Sequence, residues 1–181
     1  MEQVVESVPP GSELVVRRAR ATDVRAIGRL VASYSGDGPR LLRKTTVTLY
    51  EDVQEFWVAE QGGEVVGCGA LHVLWEDLAE IRTVAVDVRC RGRGIGHRIV
   101  AALIDTAREL GLRRVFCLTF EVEFFTRHGF AEIQGTPVSP EVYAELLDSY
   151  DEGVAEFLDL EHVKPNTLGN TRMILHLLPR T

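Results

Sequence analysis

Residues 86–99, VDVRCRGRGIGHRI, carry three glycines and four arginines between two apolar segments. Arg89, Arg91, Arg93 and Arg98 supply positive charge, and Gly92, Gly94 and Gly96 leave the backbone without Cβ atoms. A helix N-terminus presents unpaired N–H groups and a partial positive charge. Glycines let phosphate oxygens approach such groups closely. Each charge-assisted hydrogen bond contributes roughly 1.5–3 kcal/mol, so a few can hold a pyrophosphate without deep burial. Spacing separates the known kinds of phosphate loop. GxxxxGK followed by Ser or Thr is absent. GxGxxG fails as well: counted from Gly92 and Gly94, its third glycine falls on His97. That fingerprint also opens the first βα unit of a parallel sheet. What remains is R-x-x-G-x-G, with Arg91, Gly94 and Gly96 leading straight into a helix. A solvated basic turn could share the glycines and arginines, but it does not require a strand before them and an amphipathic helix after.

Periodicity defines the elements that must hold this loop. LAEIRTVAVDV (78–88) reads as the strand before it. After it, Ile95, Ile99, Val100, Leu103, Ile104, Ala107 and Leu110 share one helical face, and Gly111 ends the helix. QEFWVAEQGGEVVGCGALHVLW reads as a hairpin about QGGE, so three consecutive strands should form an antiparallel meander. Upstream, ELVVRRAR (13–20) is extended. Val24, Ile27, Leu30, Val31 and Tyr34 then recur at helical spacing behind a Thr22 or Asp23 cap. SGDGP breaks that helix, and RLLRKTTVTLYEDV reads either as a short second helix or as a loop with a capped turn. Downstream, RRVFCLTF (113–120) is continuous enough for a central strand. EVEFFTRH is a short helix closed by Gly129, and FAEI opens a strand. SPEVYAELLDSYDEGVAEFL is helical, and TRMILHLL (171–178) is a last strand. The expectation is one α/β domain over residues 13–181 behind a loose tail at 1–12.

Composition narrows the function classes. A chain of 181 residues with 45% apolar and 26% charged residues suits one soluble domain with a real core. A net charge of −7 argues against general nucleic-acid binding, so the positive charge of the loop is local and suits a small anionic ligand. Cys68, Cys90 and Cys117 form no CxxC pair. Neither a zinc site nor a disulfide framework is readable, and free thiols in a reducing cytoplasm are expected. Cys68 and Cys117 read as buried, Cys90 as exposed in the loop. The N-terminus lacks the basic and apolar regions of a signal peptide, and no apolar run approaches the length of a membrane span. His97, His128 and His162 lack metal-ligand spacing, so no metal is expected.

AEIRTVAVDVRCRGRGIGHRIVAALIDTAREL resembles the signature segment of the GNAT acyltransferase superfamily, in which R/Q-x-x-G-x-G/A binds the pyrophosphate of acetyl-CoA. LTFEVEFFTRHGF resembles the second segment of that family, and the resemblance in element order covers roughly residues 13–135. It implies the GNAT-type fold, a mixed, mostly antiparallel central sheet flanked by helices. It also implies acetyl-CoA as co-substrate, contacted at Val84, Val86, Arg91, Gly92, Arg93, Gly94, Ile95, Gly96 and Phe125. Transfer to an amine needs a group to take the amine's proton and a donor for the oxyanion. Glu80, eleven residues before Arg91, resembles the general base of some members, and its apolar flanks should raise its pKa. Arg82 falls on the same strand face as Glu80. It can hold a substrate carboxylate or pair with Glu80, and pairing would weaken the base. Many members carry a tyrosine that protonates the departing thiolate. Phe125 stands at that position here, which leaves Thr119 or water to assist.

EFLDLEHVKPNTLGNTRMILHLL resembles the C-terminal segment of short bacterial amino-acid N-acetyltransferases of the N-acetylglutamate synthase kind, and LLRKTT and CGALHV resemble its substrate-side segments. The resemblance implies Arg43, Lys44, His72, Arg82, Asn170, Thr171 and Arg172 near the acceptor. L-Glutamate would need cationic or amide donors from several segments for its two carboxylates. L-Glutamine is the second acceptor, and the implied reaction opens arginine biosynthesis. Acetylation of a protein N-terminus or another small amine remains an alternative, as does a non-catalytic acyl-CoA sensor. Neither nucleic acid nor membrane is an expected partner, and the sequence leaves a homodimer open.

Overall fold

The computed structural model describes residues 12–34, 44–149, 151, 154 and 169–178. The strands are β1 (Leu14–Arg18), β2 (Phe56–Gln61), β3 (Glu64–Trp75), β4 (Leu78–Val86), β5 (Arg114–Thr119), β6 (Ala131–Glu132) and β7 (Thr171–His176). Among the described residues they form one mixed sheet in the order β1-β2-β3-β4-β5-β7-β6. All pairs are antiparallel except β4 with β5. The meander is β2-β3-β4, and β5 lies inside the sheet between β4 and β7, as its apolar run requires.

The helices are α1 (Val24–Ser33), α2 (Thr46–Glu51), α3 (Ile95–Glu109), α4 (Val122–Thr126) and α5 (Pro140–Leu146). Helices α3 and α4 cover one face of the sheet. Helices α1, α2 and α5 cover the other. Two strand glycines set the depth of α3. A Cβ at Gly67 would lie 2.9 Å from Ile99 Cδ1, and one at Gly69 would lie 2.8 Å from Ile99 Cγ2. The helix therefore rests on bare β3 backbone, and side chains there would push it outward.

Two irregularities in β4 shape the cleft beside it. A step of two residues along β3, from Cys68 to Ala70, matches a step of three along β4, from Ala85 to Arg82. Thr83 absorbs the extra residue at φ +57°, a left-handed value that a β-branched residue rarely adopts. Before this bulge Glu80 and Arg82 share a face on which Arg82 meets Asp52, Glu55 and Asp151; after it Val84 and Val86 face α3. The second irregularity is a short ladder. Strand β4 pairs with β5 only from Leu78↔Arg114 to Glu80↔Phe116, yet β4 runs on to Val86 and β5 to Thr119. The two strands part at Glu80.

Several expectations change. Cys90 is buried at 2% exposure, because a 3-10 turn over Val88–Cys90 folds it beneath the loop. Asp23 does not cap α1. Its carboxylate accepts from Arg20 N at 2.7 Å and pairs with Arg17 at 2.8 Å, and Arg17 also holds Glu60. The ambiguous segment does form α2, with Thr45 Oγ1 accepting from Thr48 N. The helix begun at Pro140 stops at Leu146 in a turn. The tail at 1–11, the SGDGP break, Arg43, His162 and most of the segment from 150 to 168 lie outside the described residues. Among the described residues no helix is long and apolar enough to cross a membrane.

Candidate active site

The glycine loop is open. Gly92 and Gly94 both sit at φ +75°, and a Cβ on either would meet nothing within 4 Å. Gly94 is the N-cap of α3 and offers no side chain to its first-turn N–H groups. Ile95, at 2% exposure, anchors that turn in the core. The four arginines are used differently. Arg89 is bound to Asp87 at 2.8 Å, and that hydrogen bond, opposed by burial, keeps the Asp87 carboxyl below its usual range. Arg93 Nη1 donates to Cys90 Sγ at 3.8 Å. The Arg91 guanidinium lies 4.9 Å from the centroid of the Tyr34 ring. Arg98 is exposed on α3. Gly96 is needed for a second reason: a Cβ there would lie 3.3 Å from the Phe124 ring, so α4 packs directly against the first turn of α3. His97 stacks on the same ring at 4.5 Å, and its Nδ1 lies 2.9 Å from His128 Nε2.

On the opposite face a charged network surrounds the point where β4 and β5 part. Glu80 is 4% exposed and lies in register with His72 on one side and Phe116 on the other. Arg82 Nη1 stands 3.8 Å from Glu80 Oε2. Arg82 also donates twice to Asp151, at 2.7 and 3.1 Å, and once to Glu55 at 3.3 Å, with Asp52 at 3.7 Å. Lys44 pairs with Asp52 at 3.0 Å, and His72 Nδ1 lies 2.6 Å from Glu55 Oε1. Burial works against the Arg82 charge, but Glu80 and Asp151 outweigh it and hold the guanidinium protonated. Burial would likewise raise Asp151, yet the hydrogen bonds and charge of Arg82 hold it at about 2.

The Asp151 pair makes stability depend on acidity. Its folded pKa of about 2 lies below the ordinary aspartate value of 3.8, so its contribution is present above about pH 4 and is lost as pH falls toward 2. The urea midpoints of the protein and of Asp151→Asn should therefore differ most above pH 4 and converge below it. A gap that stays constant down to pH 2 would remove the ion pair as its cause.

The thiols offer no nucleophile. Burial pushes Cys68 up to about 12, and burial together with Glu80 raises Cys117 well above its usual value. Cys90 is buried. An acyl-cysteine route would need a thiolate, which burial disfavours at Cys68 and Cys117. Among the described residues no group of His, Cys, Asp and Glu could hold a metal ion.

An anion cradle at a helix N-terminus, a parted pair of parallel strands and a buried glutamate at the parting coincide in one fold. The model of the acetyltransferase (GNAT) family matches residues 27–130. The chain belongs to the GNAT acetyltransferase family. It is 66% identical over 166 residues to a Mycobacterium tuberculosis protein named amino-acid acetyltransferase, across 90% of this chain and 94% of the relative. The crystal structure of Rv2747 from M. tuberculosis, in complex with CoA, is similar with a TM-score of 0.87 at 66% identity, over 91% of this chain and 99% of that one. N-acetylglutamate synthase from Neisseria gonorrhoeae, at 22% identity, shares the fold with a TM-score of 0.72, over 93% of this chain and 36% of that one.

In this GNAT chain the co-substrate is acetyl-CoA, and the open loop from Arg91 to Gly96 fits its pyrophosphate. Val84 and Val86 line the parted edge of β4 on the α3 side, half-buried. Main-chain N and O of Val86 are both bonded to Tyr34 Oη. Phe125 turns into the core, edge-to-face with Phe130 at 5.3 Å, so the ring beside the loop is Phe124. Thr119 is buried, and its Oγ1 accepts from Glu121 N at 2.8 Å, which leaves its proton free to donate elsewhere.

Of the acceptor-side residues, the structure joins Lys44, His72, Glu80 and Arg82 in one network. Asn170, Thr171 and Arg172 stand two strands from Glu80; Thr171 is in register with Thr119, and Arg172 Nη1 donates to Gly135 O at 3.2 Å. Among the described residues, carboxylates surround the two cations of this network. Asp52, Glu55, Glu80 and Asp151 face Arg82 and Lys44. Sequence reasoning missed Asp52, Glu55 and Asp151, and it missed Tyr34 and Phe124 beside the loop.

Gly94→Val tests the cradle. Valine is strained at φ +75°, and its side chain would fill the open space above the loop. CoA affinity by calorimetry should fall roughly ten- to a hundredfold, the loss of one charge-assisted hydrogen bond, in a protein with unchanged far-UV dichroism. Undiminished affinity in that folded variant would take the loop out of the binding site.

Proposed function

We propose that this protein transfers the acetyl group of acetyl-CoA to the α-amino group of L-glutamate or L-glutamine, the first step of arginine biosynthesis. The observation that carries the reading is Glu80: a buried carboxylate at the point where β4 and β5 part, 3.8 Å from the Arg82 guanidinium. Glu80 takes the proton of the ammonium or of the attacking amine. The nitrogen adds to the thioester carbonyl, the tetrahedral intermediate collapses, and the C–S bond breaks. The thiolate of coenzyme A leaves and gains a proton from water, directly or relayed through the Thr119 hydroxyl. With a thiol pKa of about 8.5 that last step needs little help, so a phenylalanine at 125 costs little.

The name of the 66% identical relative, amino-acid acetyltransferase, supports an amino-acid acceptor. Arg82 supplies a cation for the acceptor's carboxylate, and its Nε is buried without a hydrogen-bond partner among the described residues. The surrounding carboxylates favour glutamine over glutamate, because a neutral side chain adds no further negative charge beside Asp52, Glu55 and Asp151. Free-thiol release from acetyl-CoA, measured across all twenty amino acids, tests the proposal. Glutamine and glutamate should lead. Release with no amino acid, combined with tight CoA binding, would leave a sensor in place of an enzyme.

A further inference from the structure

We propose that Tyr34 is a positioning residue for the acyl-CoA donor: its hydroxyl fixes the parted end of β4, and its ring holds Arg91 beside the glycine loop. The inference rests on the reading of Arg91 as a pyrophosphate ligand. Asp87 N bonds back to Val66 O at 2.8 Å, so Val86, one residue earlier, turns its main-chain groups away from β3. On that side β5 has already left, since its ladder with β4 ends at Glu80↔Phe116. Buried-edge N–H and C=O groups without partners are costly. Tyr34 Oη answers both: it accepts from Val86 N at 3.0 Å and donates to Val86 O at 2.9 Å. One hydroxyl thus replaces a neighbouring strand without filling the gap a strand would occupy. The mount is rigid, because Tyr34 closes α1, whose Val24, Ile27, Leu30 and Val31 are buried.

The ring has a separate task. Arg89 is committed to Asp87 and Arg93 reaches Cys90 Sγ, whereas Arg91 rests on the Tyr34 face at 4.9 Å. A carboxylate partner would occupy the N–H edge of a guanidinium. An aromatic face orients the guanidinium through its flat side and leaves that edge for a phosphate.

The experiment measures Kd by calorimetry for CoA and for pantetheine, which lacks the pyrophosphate. Tyr34→Phe, Tyr34→Leu, Arg91→Ala and the double variant Tyr34→Leu/Arg91→Ala are compared, with thermal unfolding as the check on folding. Tyr34→Phe keeps the ring, so it should weaken both ligands equally. Tyr34→Leu should weaken CoA a further two- to fivefold, roughly the size of an exposed cation–π contact, with pantetheine as in Tyr34→Phe. In the Arg91→Ala background that further loss should vanish. Losses that add in full, or equal CoA affinity in the Phe and Leu variants, would overturn the ring's role. Unchanged pantetheine and CoA affinity in Tyr34→Phe would overturn the hydroxyl's role. If Arg91→Ala leaves CoA untouched, the pyrophosphate reading itself fails. Should Tyr34→Leu not fold, Tyr34→Met provides the same ring-free comparison.

Discussion

Glu80→Gln should lower kcat by about 10²–10⁴-fold, the usual contribution of a positioned general base, and leave the Kd of acetyl-CoA nearly unchanged. Glutamine keeps the shape of the side chain, so the register with His72 and Phe116 should survive. Arg82 keeps Asp52, Glu55 and Asp151 around it, so the substitution does not strand a buried cation. The lost activity should recover in part at alkaline pH, where the acceptor amine is already neutral and needs no base. A structural role for Glu80 would lower stability and activity together and give no alkaline recovery. Stopped-flow or steady-state thiol release from pH 6 to 10 separates the two, and an unaltered kcat at neutral pH would end the assignment.

The donor half of this site was legible because its signals are local. Glycine spacing marks the loop, and a 3.6-residue period marks α3 over its whole length. The shared face of Glu80 and Arg82 followed from the two-residue period of a strand. It holds because the bulge comes one residue later, at Thr83. Nothing in Ile-Arg-Thr-Val-Ala announces a threonine at φ +57°, so the turn of Val84 and Val86 toward α3 was not readable. In α4, a helix of five residues, period alone cannot decide between Phe124 and Phe125 as the ring beside the loop. The acidic surroundings of Arg82 were beyond reach for a different reason. Its partners lie 27 residues away at Glu55 and 69 residues away at Asp151, on elements that only the tertiary fold brings together. Residue types suggested cations for a diacid; the fold had already spent two of them on its own carboxylates.

That electrostatic balance sets the second large effect, the order of acceptors. Glutamine and glutamate should lead, with glutamine ahead because its neutral amide meets the carboxylates of Asp52, Glu55 and Asp151 without repulsion. Aspartate is one methylene shorter. With its α-amine at Glu80 its second carboxylate falls short of partners set for a five-carbon chain and leaves a buried polar group unpaired. Its kcat/KM should be lower by roughly 10–200-fold, the discrimination one methylene provides. Lysine should be poorest, since its longer chain ends in an ammonium that cannot accept a hydrogen bond from donors set for an amide or carboxylate oxygen. Arg82→Lys keeps the charge and loses the fork that grips Asp151 at 2.7 and 3.1 Å. It should raise the acceptor KM about tenfold or more, a loss of one to two charge-assisted hydrogen bonds, while acetyl-CoA binding on the other face stays as it was. Steady-state kinetics with the four amino acids on the protein and on Arg82→Lys give the order directly. Preference for lysine or a peptide amine over both five-carbon acceptors would sink the amino-acid assignment and leave the acetyl-CoA cradle standing.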